Sequence, residues 1–473
     1  MNSKYMYIHT IGCQMNVYDS DQISSRLTAM GYQPAAVPET ADLIIVNTCT
    51  IRAKAEQKAY SLLGRLARLK RKKNDLIIGV GGCVAQQDGN KIIKRHPFVD
   101  LVFGTHAIQR LPSHIRKISS RRCQIVDILM EDAAQTSESV ALPRPEAEIS
   151  RFVTIMRGCD NYCSYCVVPH VRGRETSRHP DKIIEEIESL VADGVKEVTL
   201  LGQNVNSYGK KQDLCSFAEL LARINDIPGL YRIRYTTSHP KDFNEDLILS
   251  FKNLEKLCKH IHLPVQSGSN RVLRGMNRKY SRELYLDKVA NLRDTCPDIA
   301  ITSDIIVGFP GETGADFEAT LGLIKSVKFD GIFAFKYSDR SNVPAAQFAD
   351  KVPELLKKKR LQTLLAVQDN ITRSKNQALV GSIQNILIDG FSKRGISDLS
   401  QKGHRPAQWT GRTSTNKIVN FYYGHIPEGK GDDFSGKLLD VRIEKAFPHS
   451  LWGEPIIAES KARRVKGAEF YAA

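Results

Sequence analysis

The segment Arg151–Pro169, RFVTIMRGCDNYCSYCVVP, opens on an apolar run, breaks at Gly158 and then carries Cys159, Cys163 and Cys166 on one short loop. A strand that hands over to a tight loop of three thiols is the start of an α/β unit whose first connection is built for chemistry. Downstream the pattern repeats. Strands are predicted at Phe152–Met156, Glu197–Leu201, Tyr231–Tyr235, His260–Leu263, Ile301–Ile306 and Ile332–Phe335, with helices between them. In the helix Pro180–Asp193, Ile183, Ile184, Ile187, Leu190 and Val191 form one stripe, with Pro180 at its start and Gly194 at its end. Six such units fall short of the eight of a complete barrel and suit a partial (β/α)6 barrel.

Upstream, the order is again strand and helix. Strands are expected at Lys4–His9, Asp42–Val46, Leu76–Gly79 and Leu101–Phe103, and helices at Asp19–Met30, Ile51–Lys73 and Val84–Arg95. This order predicts a parallel, Rossmann-like sheet covered on both faces. Cys13, Cys49 and Cys83 each follow one of its first three strands. Parallel strands end on one edge, so loops far apart in sequence converge where open α/β sheets place their ligands. Downstream of the barrel, a basic helix around Lys357–Lys375 precedes short strands, and Leu439, Val441 and Ile443 alternate with Asp440, Arg442 and Glu444. That alternation predicts a small antiparallel β-barrel. The expected domains are therefore 1–130, a polar, proline-containing linker 131–149, the partial barrel 150–374, the small barrel 375–446 and a tail 447–473.

Composition excludes collagen-like, disordered and membrane-spanning classes: the 473 residues are 41% hydrophobic and 25% charged. The longest stretch without charged or strongly polar side chains, Leu76–Ala85, has ten residues, against about 20 for a membrane-spanning helix. No signal or transit segment is apparent at the start, so a cytoplasmic location with no membrane partner is expected. The 68 Lys+Arg against 52 Asp+Glu give a net charge of +16, which suits an anionic partner such as nucleic acid.

Three thiolates spaced as Cys159, Cys163 and Cys166 can ligate three irons of a cubane cluster and leave the fourth open. Structural zinc needs a fourth ligand, for which His170 is the one neighbour, and Cys163 with Cys166 alone would satisfy a redox CxxC. Cys13, Cys49 and Cys83 would hold a second cluster in the same manner. Cys123, Cys215, Cys258 and Cys296 share no such position and read as packing or surface thiols. In Trp409–His425, WTGRTSTNKIVNFYYGH, the aromatics Trp409, Phe421, Tyr422 and Tyr423 alternate with Arg412 and Lys417. Such a segment either stacks single-stranded nucleic acid or supplies the barrel core; Phe421 reads as core, and Arg412 and Lys417 as the RNA-binding candidates. The basic run Arg65–Lys73 reads as a solvated helix face.

The CxxxCxxC loop after the first strand of a partial barrel resembles the radical S-adenosylmethionine (radical SAM) family. LLGQNVNSYG (Leu200–Gly209), TTSHP (Thr236–Pro240), LPVQSGSNRVLRGMNRKY (Leu263–Tyr280) and SDIIVGFPGET (Ser303–Thr313) resemble its methylthiotransferase branch. So do TIGCQMNVYDSD, VNTCTIRAKAEQK and GVGGCVAQQ around Cys13, Cys49 and Cys83, and the C-terminal segment resembles a TRAM domain, a small RNA-binding barrel. The resemblance implies two 4Fe-4S clusters and two SAM molecules per turnover, one a methyl donor and one a radical source. Cys159, Cys163 and Cys166 would carry the radical SAM cluster, and Cys13, Cys49 and Cys83 an auxiliary cluster that delivers sulfur. It places Tyr165 on the SAM adenine and Gln203 and Asn204 in the loop that contacts the methionine amine. Ser238, Gln266 and Asp304, at strand ends facing the mouth, are either ligand contacts or capping residues. The implied reaction is methylthiolation of carbon 2 of N(6)-isopentenyladenosine beside a tRNA anticodon. Its alternatives are the same chemistry on threonylcarbamoyl-adenosine of tRNA or on a ribosomal-protein aspartate, and an RNA-binding iron–sulfur protein whose auxiliary cluster relays electrons. A flavodoxin-like or ferredoxin-like electron donor and iron–sulfur or sulfur delivery proteins would be the further partners.

Overall fold

The computed structural model describes residues 3–50, 53–130, 148–340, 342–392, 406–425 and 434–456. Residues 131–147 of the expected linker and 457–473 of the expected tail lie outside the described residues. The chain divides into two compact units, Met1–Ile371 and Thr372–Ala473.

The first unit begins with β1 (Lys4–Thr10), α1 (Gln14–Thr28), β2 (Tyr32–Pro34), β3 (Leu43–Thr48), α2 (Ala53–Lys72), β4 (Ile77–Gly82), α3 (Cys83–Asp88), α4 (Asn90–Arg95), β5 (Leu101–Phe103), α5 (Leu111–Arg121) and β6 (Ile125–Asp127). The six strands make one sheet in the order β2-β1-β3-β4-β5-β6, parallel throughout. Both faces are covered, and β3 shows why its sequence is an unbroken apolar run. Leu43 and Ile45 point into one core with Ile23, Leu27 and Ile115, while Ile44 and Val46 point into the other with Leu63 and Leu66. The single helix expected over Val84–Arg95 is two, because Gly89, at φ 45°, breaks it between α3 and α4.

The barrel follows as β7 (Ser150–Thr154), β8 (Met156–Arg157), α6 (Val168–Arg172), β9 (Thr176–Ser177), α7 (Pro180–Ala192), β10 (Glu197–Leu201), α8 (Phe217–Asn225), β11 (Arg232–Tyr235), α9 (Glu245–Asn253), β12 (His260–His262), α10 (Asn270–Gly275), α11 (Arg282–Thr295), β13 (Ala300–Val307), α12 (Gly314–Val327) and β14 (Gly331–Lys336). Six of these strands form two parallel ladders, β11-β10-β7 and β12-β13-β14, and a parallel bridge from Ile233 to Leu257 continues the curve from the first. One core, from Val153 through Ile187, Leu220 and Phe251 to Ile324 and Phe329, fills the space inside and beneath the helices. α13 (Glu354–Gln377) carries the division between the units.

In the second unit β15 (Ile383–Phe391), β16 (Pro406–Thr413), β17 (Ile418–His425), β18 (Leu438–Ala446) and β19 (Leu451–Pro455) close in the order β15-β16-β17-β19-β18. A closed ring of five strands cannot alternate direction at every seam. The parallel seam is β17 with β19, and the other four are antiparallel. β19 lies in the segment expected as tail, so the barrel runs past Ala446. LWGEP is too short to show an alternation of its own, and Leu451 is drawn in by a core of Ile386, Trp409, Phe421 and Val441.

Candidate functional site

The three upstream cysteines sit on adjacent strands. β1, β3 and β4 are neighbours in the sheet, and the order reverses between β1 and β3, the switch point at which doubly wound sheets hold ligands. Cys13 caps α1 in an extended conformation, Cys49 follows β3 directly and Cys83 opens α3. Their approach is close because glycines precede two of them. A Cβ on Gly12, at φ 149°, would fall 2.5 Å from the Cys49 Cβ, and one on Gly82, at φ 90°, 2.3 Å from the Thr48 carbonyl oxygen. A buried amide network fixes the three loops: Asn16 Nδ2 donates to Asn47 Oδ1 (3.1 Å) and the Thr48 carbonyl (2.9 Å), and Asn47 Nδ2 donates back to the Asn16 carbonyl (2.9 Å) and to Ser20 Oγ (2.9 Å). The Cys13 thiol donates to Asn16 Oδ1 at 3.2 Å. A hydrogen bond shared with Cys49, helped by the Arg172 guanidinium, holds Cys13 well below the usual thiol range, whereas burial pushes Cys83 up.

Cys159, Cys163 and Cys166 line the loop between β8 and α6, and burial pushes Cys159 up and Cys166 to about 12. The loop is pinned from several strands. The Gly158 amide donates to Gln203 Oε1 (2.6 Å), Ser164 Oγ to the Gly275 carbonyl (2.8 Å), Asn161 Nδ2 to Cys159 Sγ (3.5 Å) and Arg278 Nη1 to Cys163 Sγ (3.3 Å). Tyr165 is half-buried against Met276, Phe309 and Tyr337. Gln203 therefore orients the cysteine loop, a role its place in the sequence did not indicate.

Past the C-terminal ends of β10, β11 and β12 lies a set of buried polar atoms without hydrogen-bond partners among the described residues: Asn204 Oδ1, both side-chain atoms of Asn206, Ser238 Oγ, His239 Nε2 and Gln266 Oε1. The other end of the Asn204 amide donates to Asp242 Oδ2 at 2.8 Å. A buried polar group left unpaired costs about 1–3 kcal/mol, so several at one barrel mouth mark a surface completed by a ligand. Sequence reasoning picked out Asn204, Ser238 and Gln266 and missed Asn206 and His239. His239, whose Nδ1 accepts the Lys241 amide at 3.2 Å, is pushed down to about 2 by burial beside Arg278, Lys241 and Lys288, and is neutral. Asp304 departs from the expectation of a strand end. It lies inside β13, which runs on to Val307, and faces His262 at 3.5 Å.

The segments that carry the two cysteine sets meet. Cys83 packs in one apolar cluster with Val167 and Val171, the residues on either side of α6's first turn, and with Val343. Thr105 Oγ1 donates to the Val171 carbonyl at 2.7 Å, and Arg172 Nη2 pairs with Asp19 Oδ2 at 2.8 Å. Among the described residues no three His, Cys, Asp or Glu side chains gather tightly enough for a single metal ion. Three thiols on neighbouring loops are the donor set that an iron–sulfur cluster takes at three of its corners.

The remaining residues are placed as follows. Trp409 and Phe421 belong to the barrel core, while Tyr422 is exposed with its ring 4.9 Å from that of Trp452; the Tyr423 side chain lies outside the described residues. Arg412 Nη1 donates to Asn416 Oδ1 (3.2 Å), and Lys417 Nζ to Asn376 Oδ1 (2.9 Å). Lys70 on α2 and Lys73 just past its end pair with Asp100 and Asp42 at the opposite sheet edge from the cysteines. Cys258 and Cys296 are buried, and Cys123 and Cys215 pack at core margins. No helix among the described residues is long and apolar enough to cross a membrane.

Comparison with known proteins agrees with this geometry. Residues 5–104 match the family described as uncharacterized protein family UPF0004, and residues 153–324 match the radical SAM superfamily. The chain is 53% identical over 453 residues to tRNA-2-methylthio-N(6)-dimethylallyladenosine synthase of Desulfosudis oleivorans, covering 95% of this chain and 96% of that one. It is 50% identical over 460 residues to the protein of the same name from Syntrophus aciditrophicus, covering 97% and 96%. Among solved structures, a radical S-adenosylmethionine methyltransferase of Kitasatospora setae with cobalamin and a [4Fe-4S] cluster bound shares the fold, at 15% identity and a TM-score of 0.56 over 73% of this chain and 74% of that one. With both cysteine segments inside matched regions and half the residues identical from end to end, the chain belongs to the tRNA-2-methylthio-N(6)-dimethylallyladenosine synthase family of radical SAM enzymes.

Proposed function

We infer that this enzyme methylthiolates carbon 2 of N(6)-isopentenyladenosine in tRNA, next to the anticodon. The reading is carried by one observation: of two sets of three cysteines, one at a sheet edge and one at a barrel mouth, the first packs through Cys83 on Val167 and Val171 of the segment that follows the second. The donor chemistry of each set fits an iron–sulfur cluster, and the orphaned polar atoms at the mouth fit a polar cofactor such as SAM. Cys159, Cys163 and Cys166 would hold the radical SAM cluster, and Cys13, Cys49 and Cys83 a second, auxiliary cluster. Bound together, cluster and SAM supply the one-electron chemistry that an unactivated C–H bond demands, since that carbon is neither acidic nor electrophilic.

The chain's own part is binding, orientation and the exclusion of water. Asn204, Asn206, Ser238, His239 and Gln266 offer their unpaired atoms to the polar groups of SAM, and Tyr165 packs at its adenine. Gln203 and Arg278 fix the cysteine loop. Neutral His239 can donate or accept a hydrogen bond without adding charge to the mouth. Arg412 and Lys417, with exposed Tyr422 farther along β17, are the proposed RNA contacts of a TRAM barrel. The domain reading is 1–130, 150–374 and a small barrel from 375, extended to include β19. A flavodoxin-like or ferredoxin-like donor would supply electrons, and iron–sulfur or sulfur delivery proteins would serve the clusters in the cytoplasm.

Mass spectrometry of tRNA nucleosides from a strain lacking the gene tests the substrate. The expected result is loss of the 2-methylthio-N(6)-isopentenyl nucleoside with accumulation of its unthiolated precursor; loss of a methylthio-threonylcarbamoyl nucleoside, or no change in tRNA, would reassign the target. Anaerobically purified protein is expected to carry about eight irons per chain, and a count near four would leave only one cluster.

A further inference from the structure

Arg172 is the last residue of α6, six positions after Cys166, and Asp19 lies on α1, six positions after Cys13. Their side chains form an ion pair at 2.8 Å with only 5% and 2% of each exposed. A pair so buried is poor evidence of a stabilising role, because the desolvation of two charges offsets most of their attraction. Nor is it the one tie of α6 to the first sheet's domain. The Thr105 hydroxyl bonds the Val171 carbonyl at 2.7 Å, and His106 Nε2 lies 3.1 Å from the Arg172 carbonyl, both through the main chain of α6. What lies beside the side chain is the auxiliary set: Val171, its chain neighbour, packs on Cys83, and the guanidinium charge acts on Cys83 and Cys13. Asp19 bears on Cys83 with the opposite sign, and its Oδ1 has no hydrogen-bond partner among the described residues.

We propose that Arg172 is a positioning residue of the auxiliary site: it carries a buried positive charge from the barrel's cysteine loop to the side of Cys83, and Asp19 tempers that charge, so that the pair sets the redox poise of the cluster held by Cys13, Cys49 and Cys83. The proposal rests on the reading that these three cysteines hold a cluster. Adding an electron to such a cluster adds negative charge. A fixed cation favours the reduced form and raises the reduction potential, while a carboxylate lowers it. Water is excluded at this depth, which strengthens both effects.

The test is a potentiometric titration of the anaerobic full-length holoenzyme, with dithionite as reductant and electron paramagnetic resonance as readout. The auxiliary signal is assigned from a full-length Cys159→Ala/Cys163→Ala/Cys166→Ala variant. Arg172→Gln is expected to move the auxiliary midpoint to lower potential, Asp19→Asn to move it to higher potential, and Arg172→Lys to restore part of the first shift. Opposed signs are the signature, since loss of a purely structural latch would not push isosteric Asp19→Asn the other way. Should Arg172→Gln fail to load its cluster, the sign of the Asp19→Asn shift decides alone. Midpoints unchanged in iron-replete Asp19→Asn and Arg172→Lys overturn the proposal. Absence of iron from the barrel-cysteine variant overturns instead the reading of the auxiliary cluster, and the proposal with it.

Discussion

Cys83→Ala is expected to abolish formation of the methylthio product while SAM cleavage continues. The substitution removes one sulfur from an apolar cluster with Val167, Val171 and Val343, a packing loss on the order of 1 kcal/mol. The fold therefore survives. The barrel cysteines hang on other contacts: Gly158 on Gln203, Ser164 on Gly275, and Cys163 on Arg278. None of these runs through Cys83, so the loop that serves SAM keeps its shape. The auxiliary set, in contrast, loses one of three thiols. Changing outer-shell partners alone typically costs about 10–100-fold in metal affinity or activity, so removal of a ligand should lower product by at least about 100-fold. An anaerobic assay that quantifies 5′-deoxyadenosine and the 2-methylthio nucleoside in the same sample reads both quantities. Product near the unmodified enzyme's level would remove Cys83 from sulfur delivery, and Cys166→Ala, which strikes the other set, should remove both products together.

How much of this was legible in the sequence depended on how local the determining physics is. β10 was readable to the residue, because Val198, Thr199, Leu200 and Leu201 make a short strand-forming run bounded by Gly194 and Gly202. The convergence of Cys13, Cys49 and Cys83 was readable because parallel strands share an edge. β2 was not. It is three residues long, contains Pro34 and lies at the sheet edge, so it has neither periodicity nor a full ladder to betray it. The parallel seam between β17 and β19 follows from closing a ring of five, a global condition that no single strand encodes. The Arg172–Asp19 pair joins residues 153 positions apart, and in the sequence Arg172 is merely one basic residue in PHVRGRE. Asn206 and His239 were invisible for a related reason. Their importance lies in bonds they do not make, which only the packed mouth reveals.

Gly82→Ala should be more damaging than its size suggests, and its damage should fall on the auxiliary set. Gly82 stands opposite Thr48 in the β3–β4 register, at φ 90°, ψ −158°. A Cβ there would meet the Thr48 carbonyl oxygen at 2.3 Å and Asn47 Oδ1 at 2.5 Å. Neither neighbour can yield freely, since Thr48 is backbone of a central strand whose carbonyl takes the Asn16 amide, and Asn47 Oδ1 accepts from the same group. The backbone strain costs about 1–3 kcal/mol and the overlap a similar amount again, so a loss of about 2–6 kcal/mol is expected. Gly64 on α2 supplies the contrast: nothing lies within 4 Å of the Cβ it lacks, so Gly64→Ala should gain about 0.5–1 kcal/mol from helix preference alone. Thermal melting of the two variants is therefore expected to shift in opposite directions. Any relief of the clash at Gly82 must move the end of β4 away from β3, carrying Cys83 from Cys13 and Cys49. Iron should then fall from about eight to about four per chain, with 5′-deoxyadenosine formation retained. A Gly82→Ala protein with full iron and an unshifted melting temperature would mean that the three loops are not held together at this glycine.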